Sequence, residues 1–486
     1  MQTFSNTHRL CCIFVQSFLF VILPQKLVDS LQGVPGFDEP AFRHVHENSA
    51  QVTSIRINPT KLRNEETIMQ TFRSRYPDLV LSKVPWSRYG YYLSQRPSFT
   101  FDPLFHAGCY YVQEASSLFL EQALKQSVDL TQPLNVLDLC AAPGGKSTHL
   151  QSLLSSESLL VSNEVIRNRA TVLKQNLVKW GSENVVVTAN DPQQVGRLDG
   201  FFDVLIVDAP CSGSGLFRRD AEAIAEWSEG AVQLCCGRQK RILADVFPSL
   251  KENGILIYST CSYSREEDED IADWIGKTLQ MENVALNVKN EWNIITSLSE
   301  TGAKGYRFFP NKVQGEGFYL TVFRKKTPTA QTRFKSAKPE LATANEKAVM
   351  QPWLRDETLE IFRAPYLHGL LKNIAADYAF LKNQLHILYA GIAIGAVLKE
   401  KLVPDHALAV SNHLSPSVPV TDVDYDTAIL YLQRNDIRLQ TTKGWTVVSY
   451  NGHNLGWINA LPNRINNYYP KELRILKQRP GSGFEK

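Results

Sequence analysis

Cysteine is scarce in this chain and is never arranged in closely spaced pairs. The 486 residues contain eight cysteines, none in the last 225 residues, and no C-x-x-C motif occurs. So few cysteines exclude a disulfide-stabilised scaffold, and the missing pairs argue against a structural zinc site. His106 and His149 also lack metal-ligand spacing, so we predict no bound metal.

The chain also lacks an excess of charge of one sign. Lys and Arg number 52 and Asp and Glu number 49, which gives a formal net charge of +3. This balance excludes a histone-like polycation but allows a local basic groove. The sequence shows no internal repeat and no low-complexity tract. At roughly 100–200 residues per domain, a chain of this length should contain about three domains.

Long apolar runs are missing, apart from a short one near the N-terminus. The run between Arg9 and Pro24 is interrupted by Gln16 and Ser17 and has no small-x-small cleavage site. It is a poor signal peptide and is too short to cross a bilayer comfortably. We interpret residues 1–25 as an extension ahead of the first domain, or as the product of a start codon placed too early. We expect a cytoplasmic protein that does not enter a membrane.

Residues 26–104 combine short strands with a helix. Ser54–Pro59 and Tyr91–Leu93 have the composition of strands, and Glu65–Arg75 that of a helix. This mixture is typical of a small α+β domain. We therefore predict a separate N-terminal domain.

Residues 105–326 alternate strands and helices in the βαβ manner. The strands are near-continuous apolar runs, which are typical of a parallel sheet covered on both faces. The predicted strands are Asn135–Leu139, Leu159–Ser162, Val185–Val187, Val204–Val207, Ile255–Tyr258 and Phe318–Phe323.

The rest of the chain divides into a linker and a C-terminal region. Residues 327–339 belong to a basic stretch without acidic residues, which we interpret as a linker. Residues 340–486 form the C-terminal region. We predict that its helical start, Trp353–Leu371, gives way to short strands such as Thr446–Tyr450.

A glycine-containing loop follows the first predicted strand and precedes a helix from about Thr148. Glycines at such a turn let a ligand approach the backbone, and the helix start offers free N–H groups. The loop is not a P-loop, because Cys140 stands where a glycine is required five residues before Gly145, and no G-x-G-x-x-G is present. The loop residues are Cys140, Ala141, Ala142, Pro143, Gly144, Gly145, Lys146 and Ser147.

Two acidic residues follow the next two predicted strands. Glu164 comes just after the second strand, where a carboxylate can accept hydrogen bonds from ribose hydroxyls. Asp191 follows the third strand, where it could meet an adenine amino group. The carboxyl ends of parallel strands meet at one edge of the sheet, so both acids should converge on the glycine loop. A nucleoside without phosphates suits this site, and S-adenosylmethionine is such a ligand.

Two cysteines lie on loops at the same edge. Asp208-Ala209-Pro210-Cys211 ends the fourth predicted strand, and Thr260-Cys261 ends the fifth. A thiolate that adds to ring carbon 6 of cytosine makes carbon 5 nucleophilic enough to accept a methyl group. Asp208 could stabilise this adduct near ring nitrogen 3. The residues alone do not decide which thiol attacks.

In combination these blocks resemble the Nol–Nop–Sun family of RNA cytosine-5 methyltransferases. Further matching blocks are Leu216–Asp220, Arg238–Gln239, Glu266–Glu269 and Gly315–Phe318. The resemblance implies an α/β fold with a Rossmann-like methyltransferase domain around a mostly parallel seven-stranded sheet. The flanks resemble bacterial RsmF-type enzymes more loosely, with Ser54–Pro59 in an RNA-facing N-terminal domain and a PUA-like RNA-binding domain at the C-terminal end.

The resemblance also implies a role for each site residue. The loop from Cys140 to Lys146 would hold the methionine part of S-adenosylmethionine. Glu164 would bind the ribose and Asp191 the adenine side, while Asp208 would face both cofactor and target base. Cys261 would be the nucleophile, and Cys211 would assist release of the methylated product. The implied substrate is RNA, most simply 16S ribosomal RNA or the small ribosomal subunit, and the enzyme is expected to be a monomer.

Other functions remain open at this point. One alternative is a non-catalytic RNA-binding or ribosome-assembly factor, against which the complete set of site residues argues. A methyltransferase for adenine or for protein glutamine is another, but such enzymes carry an Asn/Asp-Pro-Pro-Tyr loop where this chain has Asp208-Ala209-Pro210-Cys211. We expect Arg218 and Arg219, beside the catalytic loop, to contact RNA.

Overall fold

The computed structural model describes most of the chain. The predicted N-terminal extension lies outside the described residues except for its last three positions. The predicted linker lies outside them from residue 330 onward. Among the described helices, none is long and apolar enough to cross a membrane. The described residues are 23–62, 65–329, 340–363 and 366–478.

The N-terminal part forms an antiparallel four-stranded sheet in the order β2-β3-β1-β4. The predicted strands and helix of this part are confirmed as β1, β3 and α3. Strand β4 lies beyond residue 104, so the sheet extends past the domain end expected from the sequence. The elements are α1 (Gln25–Ser30), α2 (Glu39–Asn48), β1 (Thr53–Ile57), α3 (Glu65–Arg75), β2 (Leu81–Lys83), β3 (Gly90–Leu93), α4 (Pro103–His106) and β4 (Tyr110–Val112).

The middle of the chain alternates strands and helices, as predicted. Its helices are α5 (Leu120–Ser127), α6 (Gly145–Gln151), α7 (Arg167–Trp180), α8 (Pro192–Gly196), α9 (Ala221–Glu226), α10 (Glu229–Val246) and α11 (Glu269–Thr278). Its strands are β5 (Asn135–Asp138), β6 (Leu159–Asn163), β7 (Val185–Thr188), β8 (Phe202–Asp208), β9 (Leu250–Thr260), β10 (Met281–Asn283), β11 (Ile295–Leu298), β12 (Lys304–Phe308) and β13 (Phe318–Lys325).

These strands belong to a mixed sheet that is larger than the seven strands expected. The path is β11-β12-β13-β9-β8-β5-β6-β7-β16, with β10 on β13, which makes ten strands. The five central strands, β9-β8-β5-β6-β7, are parallel, and the added strands at both sides are antiparallel. The strand order reverses between β5 and β8, the place where ligands bind in open α/β sheets.

Alternate residues of the central strands fill the two faces of this sheet. Leu137 and Leu205 pack in one buried cluster, and Val136 and Val204 pack in the other. Because both faces are covered, the middle stretches of these strands are apolar on both sides. The loops at the carboxyl ends are therefore mounted on a rigid core.

The C-terminal region contains two further four-stranded sheets, β14-β15-β17-β18 and β19-β20-β21-β22. Its helices are α12 (Ala344–Met350), α13 (Ala375–Gln384), α14 (His406–Val410) and α15 (Tyr425–Leu432). Its strands are β14 (Leu359–Phe362), β15 (Leu367–Leu371), β16 (Ile387–Ala390), β17 (Ile392–Leu398), β18 (Lys401–Pro404), β19 (Val420–Asp422), β20 (Gly444–Tyr450), β21 (His453–Leu461) and β22 (Arg464–Asn467).

The C-terminal region differs from the sequence expectation in two ways. The predicted helix over Trp353–Leu371 is wrong, because its two apolar runs pair with each other as β14 and β15. Strand β16 leaves this region and pairs with β7 at the edge of the catalytic sheet, with Tyr389 opposite Val187. The predicted strand Thr446–Tyr450 is confirmed within β20.

Arg56 on β1 is fully buried and contacts the catalytic domain. Its guanidinium donates hydrogen bonds to Gln113 Oε1 at 2.9 Å and to Ser152 Oγ at 3.0 Å. It also donates to the Thr148 carbonyl at 3.3 Å and stacks over the Trp180 ring, 4.5 Å from its centroid. Burial lowers the pKa of Arg56 to about 9. The sequence placed β1 in an RNA-facing domain. The Arg56 side chain of this strand instead anchors α6, the helix after the glycine loop.

We expect Arg56→Ala to destabilise the fold. The change leaves buried partners such as the Thr148 carbonyl and Gln113 without their donor, which should cost about 2 kcal/mol of unfolding free energy. Chemical denaturation checks this, with Arg73→Ala on exposed α3 surface as the control. Equal unfolding free energies for the two variants would contradict the anchoring role.

Candidate active site

The loop after β5 contains one left-handed glycine. Gly144 has a φ of +112°, and an ideal Cβ there would lie 3.2 Å from Leu173 Cδ1. Side chains rarely adopt such a conformation, so glycine is required. Helix α6 then begins at Gly145, earlier than the predicted start near Thr148.

A buried carboxyl group lies under this loop. Asp138, the last residue of β5, accepts a hydrogen bond from Ser147 Oγ at 2.6 Å. Its second oxygen, Oδ1, has no hydrogen-bond partner. Burial raises the pKa of Asp138 to about 7. Burial is the main cause that raises the pKa of the Cys140 thiol, and the carboxylates of Asp138 and Glu164 raise it further. The thiol and the two carboxylates therefore lie close together.

Glu164 lies where the sequence predicted it, just after β6, and is 3% exposed. Its Oε1 accepts the Ile166 N–H at 3.0 Å, and its Oε2 forms an ion pair with Arg169 at 3.5 Å. Arg169 also donates to the Ala142 carbonyl at 3.0 Å. Arg169, which the sequence analysis missed, therefore links the acidic residue to the glycine loop.

Asp191 follows β7 as predicted, but its carboxylate already has a structural task. It accepts the Gln193 N–H at 3.0 Å and caps helix α8 in a capping box with Gln194. The preceding residue, Asn190, exchanges hydrogen bonds with the backbone of His386, just before β16. The loop that carries Asp191 is thus held by the C-terminal region.

Lys146 and Asp208 join the glycine loop to the end of β8. Lys146 Nζ lies 2.7 Å from Asp208 Oδ2, and Asp208 Oδ1 accepts a hydrogen bond from Ser259 at 2.7 Å. Burial lowers the pKa of Lys146, but the nearby anionic groups, Asp208 first, outweigh burial and leave the pKa above its ordinary value. Asp208 is held in place while its side chain stays 34% exposed.

The two predicted cysteines come together. Cys211 Sγ and Cys261 Sγ are 3.0 Å apart, within hydrogen-bond distance for thiols. A disulfide would place the two sulfur atoms about 2.05 Å apart, so both are free thiols. The hydrogen bond with Cys261, together with burial, raises the pKa of Cys211 well above its ordinary value.

Backbone contacts fix the two cysteine loops against each other. The Gly215 N–H donates to the Cys261 carbonyl at 2.8 Å, and the Gly317 N–H donates to the Gly215 carbonyl at 3.2 Å. A Cβ at Gly215 would lie 2.5 Å from the Gly317 carbonyl oxygen. Only glycine permits this close approach.

The expectation that Arg218 contacts RNA is wrong, because this side chain is buried, while the same expectation for the half-buried Arg219 stays a prediction. Arg218 is 8% exposed and forms a buried ion pair with Glu316 at 3.2 Å. It also donates to the Ala50 carbonyl at 2.8 Å, while its own carbonyl accepts from Gln51. Arg218 thus connects the N-terminal part to the loop that carries Cys211.

The structure unites most of the site predicted from the sequence at one edge of the sheet. It also adds a buried carboxylate, Glu267, behind the two cysteine loops. This burial does not follow from the local pattern, because Glu267 lies in the acidic run Glu266–Asp270, and such runs are typical of a solvated surface.

Three family models match successive parts of the chain. The model described as 16S rRNA methyltransferase RsmB/F matches residues 126–324. The N-terminal domain of 16S rRNA methyltransferase RsmF matches residues 23–115, and the methyltransferase RsmF PUA domain matches residues 418–475. The chain thus resembles RsmB/F methyltransferases in its N-terminal, central and C-terminal parts.

Curated RsmB/F relatives are similar along nearly the whole chain. Ribosomal RNA small subunit methyltransferase F of Psychromonas ingrahamii is 28% identical over 483 residues, covering 93% of this chain and 97% of the relative. The protein of the same name from Vibrio cholerae is 28% identical, covering 86% of this chain and 90% of its own.

A solved structure confirms the Rossmann-like fold of this chain. The crystal structure titled NSun6 from Pyrococcus horikoshii with SFG has a TM-score of 0.52 and 18% identity, and the match covers 63% of this chain and 98% of that one. The matched family model describes a methyltransferase, and S-adenosylmethionine is the cofactor expected from the sequence. The sheet edge described above fits this cofactor. The glycine turn leaves room for a ligand beside the backbone, and carboxylates line the edge.

We expect Glu164→Ala to weaken the binding of S-adenosylmethionine at this edge of the sheet. The sequence predicts that this carboxylate accepts hydrogen bonds from the ribose, and the loss of such charge-assisted bonds should raise Kd about 10- to 100-fold. Calorimetric titration measures this, with Glu157→Ala, an exposed acidic residue before β6, as the control. An unchanged Kd in the Glu164 variant would place the ribose elsewhere.

Proposed function

We propose that this enzyme methylates carbon 5 of a cytidine in small-subunit ribosomal RNA through a covalent cysteine adduct. The observation that carries the proposal is the pair of free thiols, Cys211 and Cys261, 3.0 Å apart beside the Lys146–Asp208 ion pair. Two thiols on neighbouring strand ends suit a reaction in which one adds to the base and the other helps to release it.

Cys261 is the proposed nucleophile. Its sulfur forms a bond to ring carbon 6 of cytosine, and the electron pair of the 5,6 double bond then takes a methyl group at carbon 5. The raised pKa of Cys211 supports a protonated thiol there, with Cys261 as its hydrogen-bond acceptor. The Lys146 ammonium also interacts electrostatically with Cys261, and a neighbouring cation stabilises a nucleophilic thiolate.

Release of the product reverses the addition of the Cys261 sulfur to the base. The proton on carbon 5 is removed, its electron pair restores the 5,6 double bond, and the bond between sulfur and carbon 6 breaks. Cys211 is the proposed partner in this step, because its sulfur adjoins that of Cys261. Asp208 is partly exposed and hydrogen-bonded by Ser259, so we assign it to ring nitrogen 3, where it would stabilise the adduct.

S-adenosylmethionine supplies the methyl group when bound. We assign the loop from Cys140 to Lys146, with its alanines and Pro143, to the methionine part, and Glu164 to the ribose hydroxyls. Asp191 is assigned to the adenine side with its carboxylate already capping α8.

The substrate assignment comes from the relatives. The names of these relatives specify ribosomal RNA of the small subunit, and the family model that matches the C-terminal part is a PUA domain of RsmF. We therefore infer that the substrate is 16S rRNA, alone or in the small subunit, which places the enzyme in the cytoplasm. The target cytidine must be unstacked to reach the thiols.

The test is methyl transfer from labelled S-adenosylmethionine to naked 16S rRNA and to small subunits, followed by nucleoside analysis. The proposal expects the label in 5-methylcytidine with at least one of these substrates. Label in any other nucleoside, or no transfer to either substrate, would overturn it.

A further inference from the structure

Glu267 is a fully buried carboxylate that no step of the proposed mechanism uses. It lies in the 3₁₀ turn Arg265–Glu267, after the Cys261 loop. Its oxygens accept hydrogen bonds from the Ser212 N–H at 2.8 Å, the Ser212 hydroxyl at 2.6 Å and the Ser262 hydroxyl at 2.6 Å. A fourth donor, Gln239 Nε2, lies 3.2 Å away.

These donors belong to the two cysteine loops. Ser212 directly follows Cys211, and Ser262 directly follows Cys261. One carboxylate therefore joins both loops one residue beyond each thiol. Gln239 on α10 also donates to the carbonyl of Pro210, on the other side of Cys211, at 3.0 Å.

The two loops depend on Glu267 to different extents. The Cys261 loop is held by β9 and by the hydrogen bond from Thr260 to Asp268 at 2.6 Å, besides the Gly215 contact that it shares with the Cys211 loop. The residue after Cys211 instead directs both its N–H and its hydroxyl to Glu267. Loss of the carboxylate should therefore loosen Cys211 more than Cys261.

The burial of this carboxylate fits a positioning role. Burial raises the pKa of Glu267, and the hydrogen bonds from Ser212 and Ser262 oppose that rise. All of its contacts are with protein groups, and none of its surface is exposed to a substrate. Glu267 thus acts through the two loops and is not a catalytic residue.

We propose that Glu267 is a positioning residue that holds Cys211 against Cys261 and thereby sets the rate at which the methylated RNA is released. This inference rests on the proposed covalent mechanism. Displacement of a reacting group by about 1 Å can cost about 100-fold in rate. Release, which requires both thiols beside one base, should suffer more than attack, which requires Cys261 alone.

The test compares Glu267→Gln with wild type on the RNA substrate. The glutamine keeps the size of the side chain but presents an amide N–H₂ to donors that need acceptors. We expect kcat to fall about 10- to 100-fold, while kcat/KM for RNA and for S-adenosylmethionine stays within about twofold of wild type, because both ratios report steps that precede release. A protein–RNA adduct should accumulate on a denaturing gel during turnover, because release is slowed more than attack.

Two further variants support the comparison. Ser212→Ala removes one of the hydrogen bonds and should give a smaller change in the same direction, which also covers the case in which Glu267→Gln fails to fold. Glu266→Gln, the adjacent half-buried acid, is the matched control and should behave like wild type.

The outcomes separate this inference from the proposed function. If wild type makes 5-methylcytidine and Cys211→Ala traps an adduct, but Glu267→Gln and Ser212→Ala release product at the wild-type rate, Glu267 has no positioning role. A lower melting temperature with unchanged kcat per folded molecule would show a purely structural role. If wild type makes no 5-methylcytidine and Cys211→Ala traps nothing, the proposed function itself is wrong.

Discussion

Cys261→Ala should abolish methyl transfer, lowering kcat by more than about 10³-fold. Cytosine carbon 5 is a poor nucleophile until a thiolate has added to carbon 6, and the variant has no sulfur to add. Cys211 lies only 3.0 Å away, but the proposed geometry does not place it for attack. Methyl transfer to 16S rRNA or small subunits under multiple turnover measures the loss.

Binding measurements show whether this loss is chemical. S-adenosylmethionine affinity and melting temperature should match wild type, because Cys261 is assigned to the target base and not to the cofactor. Cys236→Ala, which removes a buried thiol in the core on α10, serves as the matched control and should keep its activity. Methylation by Cys261→Ala at more than a few per cent of the wild-type rate would exclude Cys261 as the nucleophile.

Cys211→Ala should produce the second large effect, a stable covalent complex between protein and RNA. In this variant Cys261 still adds to carbon 6 and the methyl group still reaches carbon 5, but elimination loses its assisting thiol. We expect multiple-turnover activity to fall more than about 100-fold while most of the enzyme becomes attached to RNA. A denaturing gel detects the complex, and sequencing of the attached RNA identifies the modified nucleotide.

The double variant gives the decisive comparison. The complex should disappear when Cys261→Ala is added to Cys211→Ala, because no sulfur remains to form the bond. Normal turnover without a trapped complex in Cys211→Ala would overturn the roles assigned to the two cysteines. Persistence of the complex in the double variant would show that a third residue attacks the base.

Local patterns were sufficient to predict the parallel strands and the loops at their ends. Buried parallel strands are short apolar runs, and the acidic residues at or just after their ends, such as Glu164 and Asp208, are easy to recognise. Because the carboxyl ends of neighbouring strands must meet, strand order alone brings Cys211 and Cys261 together. The meeting of these thiols therefore followed from the sequence.

Features set by distant contacts could not be predicted in this way. Arg218 and Glu267 are charged residues in polar stretches, and only tertiary contacts with Glu316 and Ser212 bury them. The apolar runs that became β14 and β15 are short enough to fit a helix or a hairpin, and their mutual pairing decided the outcome. The membership of β16 in the catalytic sheet depends on a partner some 200 residues away.

The pairing of β16 with β7 has a consequence for the synthesis of the chain. Until residue 390 has left the ribosome, β7 presents an unpaired edge of the catalytic sheet, with Val185 still without the Gly391 N–H that its carbonyl accepts at 2.8 Å. Open apolar edges invite pairing with other chains. The nascent enzyme is therefore still vulnerable to aggregation after its glycine loop and both thiols have been made. A truncation before β16 likewise removes the strand that covers this edge, along with the C-terminal sheets.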